Sequence, residues 1–349
     1  MLALSLLLAF ISTLFGIYLM RPLAVRWGLV DVPDHRKHHQ GDVPLIGGVA
    51  MFGGVALASL LLVTPSDSHW LWLLSALVIV VLGVLDDAKG LSAHLRLVAQ
   101  ALMTLILAIG SDLFLENFGN LLSFGAIHLG GLGYVVTMLA VIGAINAFNM
   151  MDGIDGLAGS MALVSFSNLA VLFAMSGDNY GLQVALIFLG VLLPYLANNL
   201  LLPPFKHKIF MGDAGSMLIG LSVVWLLIHG TQNAMPSFRP VTALWLVAVP
   251  LMDMAAIMLR RIRKGQSPFM ADRDHLHHIF MRAGFSPRQA LFVITLTTVL
   301  LAGCGIAGEW LQIPDVIMFT VFLLLFSIYT YALQHSWKLL KSIHSLESL

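Results

Sequence analysis

Apolar residues run through this chain in long blocks separated by short polar breaks, and they do not alternate with polar ones. Alternation would predict strands, whereas continuous runs of about 20 apolar residues predict helices that cross a bilayer. Reading the runs between breakers predicts eleven such helices, near 2–20, 45–63, 70–85, 94–110, 133–149, 157–175, 181–200, 213–229, 241–259, 290–308 and 314–333. A barrel would need alternating apolar-out, polar-in segments, so helices are expected. The longest connections fall near 21–44, 111–132 and 260–289, and none has room for a soluble domain of ordinary size. The pattern predicts an all-α polytopic membrane protein, with residues 1–349 forming a single integral-membrane domain.

Composition sharpens this picture. Hydrophobic residues make up 59 % of the chain, and Asp, Glu, Lys and Arg together only 10 %, against about 25 % in a soluble domain. Formal net charge is zero, which gives no case for nucleic-acid binding. The single cysteine, Cys304, excludes an intramolecular disulfide and a Cys-rich zinc site. The first apolar run lacks a basic leader and a small-residue cleavage site, so it is expected to stay as a span.

Charge also assigns the sides. With eleven spans, 17 of the 18 Lys and Arg residues, from Arg21 to Lys341, fall on one side and only Arg239 on the other. Basic residues favour cytoplasmic loops. The N-terminus is therefore expected outside and the C-terminus inside. Loops near 21–44, 86–93, 150–156, 201–212 and 260–289 would then share the cytoplasmic face.

Ionisable groups near a membrane core are costly and call for a reason. Here they gather at the helix ends of that one face, so distant segments can converge on one pocket. Asp86 and Asp87 close the third span. Adjacent carboxylates repel unless a cation is near, and Mg²⁺ or Mn²⁺ prefers such oxygens; the alternative is a solvated helix end with Lys89 as counter-charge. Asn146, Asn149, Asp152 and Asp155 recur every three residues, with Gly153 and Gly156 suggesting that the helix opens; Asp155 alone could instead be the N-cap of the sixth span. Asp213, between Gly212 and Gly215 at the start of the eighth span, suits a metal beside phosphate or a plain N-cap. Between spans nine and ten, Arg260, Arg261, Arg263 and Lys264 precede Asp272, Arg273, Asp274, His275, His277 and His278. Guanidinium and imidazole donors of this density match a pyrophosphate, and the imidazoles could instead bind a metal; the alternative is a solvated loop. Two weaker features are Arg36, Lys37, His38 and His39, which could hold an anionic headgroup or be ordinary flanking charge, and Asp253, either structurally paired or direct in its role.

At these residues the chain resembles the polyprenyl-phosphate N-acetylhexosamine-1-phosphate transferases, over about residues 10–335 and with the motifs in family order. The histidine loop, Lys37 to Gly48 and Pro250 to Pro268 resemble the N-acetylglucosamine branch; the three consecutive histidines of the muramyl-pentapeptide branch are absent. One departure is Gly90, where relatives often carry a third Asp after Asp86-Asp87.

The resemblance implies transfer of N-acetylglucosamine 1-phosphate from UDP-N-acetylglucosamine to undecaprenyl phosphate with release of UMP. This would be a first membrane step toward O-antigen or enterobacterial common antigen. It implies Mg²⁺, with Mn²⁺ as an alternative, held by Asp213 and Asn149. Asp86 and Asp87 would orient the lipid phosphate or act as base, with Lys89 offsetting their charge. Arg261, His275, His277 and His278 would hold the pyrophosphate; Asn146, Asp152 and Asp155 would line the nucleotide-sugar pocket. Another UDP-N-acetylhexosamine donor, a cation-coupled transporter and an inactive scaffold are the rival readings. The oligomeric state stays open, a homodimer included.

Overall fold

The computed structural model describes residues 1–32, 41–64, 66–267 and 275–335. Arg36, Lys37, His38, His39, Asp272, Arg273, Asp274 and Lys341, named above, lie outside the described residues.

The described chain is a bundle of helices: α1 (Leu2–Trp27), α2 (Gly47–Leu62), α3 (Asp67–Lys89), α4 (Ala93–Ser111), α5 (Leu132–Met151), α6 (Leu157–Ser176), α7 (Asn179–Asn199), α8 (Gly212–Gln232), α9 (Pro240–Leu246), α10 (Ala248–Arg263), α11 (Leu276–Arg282), α12 (Pro287–Trp310) and α13 (Asp315–Gln334). Two short antiparallel strands, β1 (Val30–Asp31) and β2 (Val43–Pro44), pair beside them. Local signals mark several ends. Ser286 and Gln289 form a reciprocal capping box before α12, and Asp178 caps α7 by accepting from the Gly181 N–H.

All eleven predicted segments are helical, but two are not straight full-length spans. Among the described residues nine helices are long and apolar enough to cross a membrane, or ten if α9 and α10 are one bent span. The chain is thus a multi-pass membrane protein. The predicted ninth span breaks between α9 and α10, which meet at 82°. Pro250, in the first turn of α10, has no N–H and its ring crowds the carbonyl four residues before, which favours a break just ahead of it. The predicted second span, α2, has 16 residues. At about 1.5 Å per residue it falls short of a hydrocarbon layer about 30 Å thick. The expected loop 260–289 also contains the short helix α11.

Helix α8 is the axis of the bundle, buried along nearly its whole length and packed by α2, α3, α5, α6 and α7. The packing rests on small residues, as is usual where backbones approach closely in membranes. A Cβ at Gly48 of α2 would overlap the backbone of Gly215, and one at Gly83 of α3 would overlap Ala214. Helices α1, α12 and α13 lie at the periphery, with Phe15, Tyr18, Phe292 and Leu324 among their exposed apolar residues. This arrangement brings the N-terminus of α8 against the C-terminal ends of α3 and α5, where the acidic motifs lie.

Candidate active site

Asp87, near the C-terminal end of α3, reaches across to α8. The Asp213 N–H donates to Asp87 Oδ1 at 2.9 Å, and the Ala214 N–H to Oδ2 at 3.5 Å. Asp87 thereby serves the first amides of α8, which need an outside acceptor. Asp213 is not an N-cap; it sits in the first turn, with Met211 at the cap position. Its own carboxylate accepts from Asn149 Nδ2 at 2.6 Å, and Asn149 Nδ2 also donates to Ser216 Oγ at 3.0 Å. Asp87, Asn149 and Asp213, on three helices far apart in sequence, form one contiguous unit.

Asp86 is buried and turned to α4. Arg96 Nη1 donates to its Oδ2 at 2.6 Å and stands 3.8 Å from Asp213; the Leu91 N–H donates to Oδ1 at 2.7 Å. The counter-charge expected from Lys89 is therefore supplied by Arg96, and Lys89 is exposed. The reason is geometric: Lys89 lies beyond Asp86 on the same helix end, whereas the turn into α4 folds Arg96 back over the carboxylate. Gly90 ends α3 with φ 63°, a conformation that strains other residues and accounts for glycine at that position.

The α5–α6 turn carries the next acids. Asp155 does not cap α6, whose N-cap is Gly156. Its Oδ2 instead accepts from Lys208 Nζ at 2.6 Å, and the turn is held by the Gly156 N–H donating to Asn199 Oδ1 at 2.6 Å. Asp152 is accessible to water although many protein atoms surround it. Burial, then the facing carboxylates of Asp213, Asp87 and Asp155, push its carboxyl up to about 7. Asn146 is one turn or more further along α5, where its Nδ2 donates to Gln100 Oε1 at 3.1 Å and to the Ile142 carbonyl at 2.8 Å. It links α5 to α4 and makes no hydrogen bond to the acids.

The histidine segment closes onto this turn. His277 is 1 % exposed, and a Cβ on Gly153 would collide with its imidazole. Both ring nitrogens are buried and, among the described residues, have no hydrogen-bond partner. Burial first, then His278 and His275, lower its pKa to about 3, so it is neutral near pH 7, with one donor and one acceptor. Its ring lies 4.2 Å from that of His278, centroid to centroid. His275 Nδ1 is 2.9 Å from Asp253 Oδ2, and Arg261 is buried at the end of α10.

The donor set suits a hard divalent cation. Asp213 and Asn149 offer carboxylate and amide oxygens, and several acids face one another around Arg96. Oxygen ligands favour Mg²⁺ or Mn²⁺ over zinc. Among the described residues no three His, Cys, Asp or Glu side chains are grouped to hold an ion. Arg96, Ser216, Lys208 and Asn199 were not singled out from sequence. Ser216 closes the Phe210–Ser216 motif without a role of its own in the sequence, the other three stand outside any motif, and only proximity to an acid or to the turn reveals them.

The family model for glycosyl transferase family 4 matches residues 69–231. The chain is 42 % identical over 335 residues to the undecaprenyl-phosphate alpha-N-acetylglucosaminyl 1-phosphate transferase of Yersinia pestis, covering 96 % of this chain and 92 % of that protein. It is 40 % identical over 346 residues to the protein of that name from Haemophilus influenzae (99 % and 97 % covered) and 40 % over 335 residues to that from Escherichia coli strain K12 (96 % and 91 % covered). With identity of this level over nearly the full length, the chain belongs to the undecaprenyl-phosphate alpha-N-acetylglucosaminyl 1-phosphate transferase family.

Proposed function

We propose that this protein transfers N-acetylglucosamine 1-phosphate from UDP-N-acetylglucosamine to undecaprenyl phosphate, releasing UMP, at the cytoplasmic face of a bacterial inner membrane. The observation that carries this reading is the closure of the histidine segment on the acidic turn. Neutral His277, its two ring nitrogens buried and without a hydrogen bond among the described residues, packs on Gly153 beside Asp152. Donors fit for a pyrophosphate thus meet carboxylates fit for a cation at one end of a membrane bundle.

In the reaction, an oxygen of the lipid phosphate forms a bond to the β-phosphorus of the donor as the bond to the UMP oxygen breaks. A phosphate monoester with a second pKa near 6 is about 90 % dianion at pH 7, so a strong base is not required. The difficulty is bringing a dianion onto a pyrophosphate, and positive charge answers it. A divalent cation held by Asp213 and Asn149 would supply Lewis-acid charge to the pyrophosphate. Arg261, His275, His277 and His278 donate to the same group as charge grows on the leaving UMP. Asp87 holds Asp213 in register through its backbone N–H, and Asp86 holds Arg96 at the rim toward the acceptor phosphate, where Lys89 adds positive charge. Asp152, Asp155 and Asn146 shape the nucleotide-sugar pocket. Coupled ion transport loses support: Asp253, the acid expected well inside a span, is engaged by His275 and Tyr329.

The test uses purified protein with UDP-N-acetylglucosamine, undecaprenyl phosphate and Mg²⁺. UMP release that stops in excess chelator is expected, and Asp213→Asn should lower kcat on the order of 10²-fold or more while the protein stays folded. Chelator-resistant turnover or an unaffected variant would overturn the metal assignment, and no UMP would overturn the function.

A further inference from the structure

Asp253 on α10 is fully buried and accepts from three directions. His275 Nδ1 lies 2.9 Å from Oδ2, the Leu276 N–H donates to Oδ1 at 3.1 Å, and the Tyr329 hydroxyl of α13 donates to Oδ1 at 2.6 Å. A carboxylate only accepts, so the proton of that contact sits on His275 Nδ1, and the ring is held by that edge. The rings of His275 and His277 are parallel, 2° apart with centroids 6.0 Å apart, and His277 rests against Gly153. One acid therefore fixes the ring and backbone of His275 and, through the stacked pair, the angle at which the histidines meet the α5–α6 turn. Three bonds also explain why a carboxylate is kept in an otherwise apolar stretch, since a buried acid needs its lone pairs satisfied.

We propose that Asp253 is a positioning residue for donor recognition: it holds the His275 ring through Nδ1 and the backbone through the Leu276 amide, and Tyr329 fixes the carboxylate in the orientation that does so. The proposal rests on the reading of the histidine segment as the pyrophosphate grip. Asp253→Asn keeps the size but presents an NH₂ group to at least one of three donors.

Calorimetry with UDP-N-acetylglucosamine should show a Kd raised at least about tenfold in Asp253→Asn, the usual scale when a carboxylate that orients a histidine is lost. KM for undecaprenyl phosphate should stay within about twofold. Adding Asp253→Asn to His275→Ala should cost no more than about twofold further in donor Kd, because coupled residues are not additive. A donor Kd within twofold of wild type, or penalties that multiply, would overturn the proposal. If Asp253→Asn does not fold, ¹⁵N spectra of histidine-labelled wild type decide it. Protonated Nδ1 at His275 at pH 7–8 supports the proposal, and an unprotonated Nδ1 overturns it. Wild type that binds UDP-N-acetylglucosamine without releasing UMP would defeat the proposed function alone, with the donor-binding and tautomer results still deciding the role of Asp253.

Discussion

Asp152 shows how one side chain records the chemistry of its surroundings. Its carboxyl is raised to about 7 by burial and by neighbouring acids, well above the usual carboxylate range near 4. The folded protein thus holds this proton more tightly than the unfolded chain. Ionised Asp152 opposes folding above pH 7, and that penalty disappears as pH falls from about 7 toward 4. Asp152→Asn should therefore raise Tm at pH 8, and its advantage over wild type should shrink at pH 5. Thermal unfolding in detergent at the two pH values checks this; equal differences would mean that Asp152 feels no such crowding. The same charge crowding explains Arg96, whose guanidinium lies between Asp86 and Asp213. A cation at that position lowers the repulsion that the acids would otherwise impose.

Among the helices, the decisive contacts are those at the N-terminus of α8, where Gly48 and Gly83 let α2 and α3 approach the backbone at Ala214 and Gly215. That approach also brings Asp87 to the Asp213 amide. Gly48→Ala or Gly83→Ala should force the helices apart, costing about 1–3 kcal/mol as overpacking does, and should lower activity by moving Asp213. Gly53→Ala, on the same helix as Gly48, has open space at its Cβ and gains helix propensity of up to about 1 kcal/mol. It should leave Tm and turnover unchanged or slightly higher. A loss in Gly53→Ala as large as in Gly48→Ala, measured by melting and UMP release, would mean that close packing at α8 is not the cause.

For the whole molecule, the consequence of the charge distribution is topology. In a Cys304→Ser background, Asn120→Cys should react with a membrane-impermeant maleimide in intact cells. Lys264→Cys, at the end of α10, should react only after permeabilisation. Labelling of both from one side, or the reverse pattern, would overturn the cytoplasmic assignment of the site. The bent α9–α10 pair makes this a useful probe, because its geometry departs from a simple crossing.

The helical, membrane-spanning character was legible in the residues alone, because a bilayer leaves backbone amides no partner but their own segment, and apolar runs of sufficient length satisfy that demand. The acidic and histidine motifs stood out for a related reason: polar groups at helix ends in so apolar a chain are costly without a use. Tertiary structure alone decided how these groups pair. Lys89 was expected beside Asp86 because it is near in sequence, but α4 folds Arg96 onto that acid. Asp155 and Asp213 looked like caps, yet Lys208 takes the first and Asp87 serves the amide of the second. Asp253 had no visible partner until α10, α13 and the His275 segment met. Local pattern reflects the solvent that each segment must satisfy; partners across 10 to more than 100 residues depend on how helices pack, and that is decided only when all of them are in place.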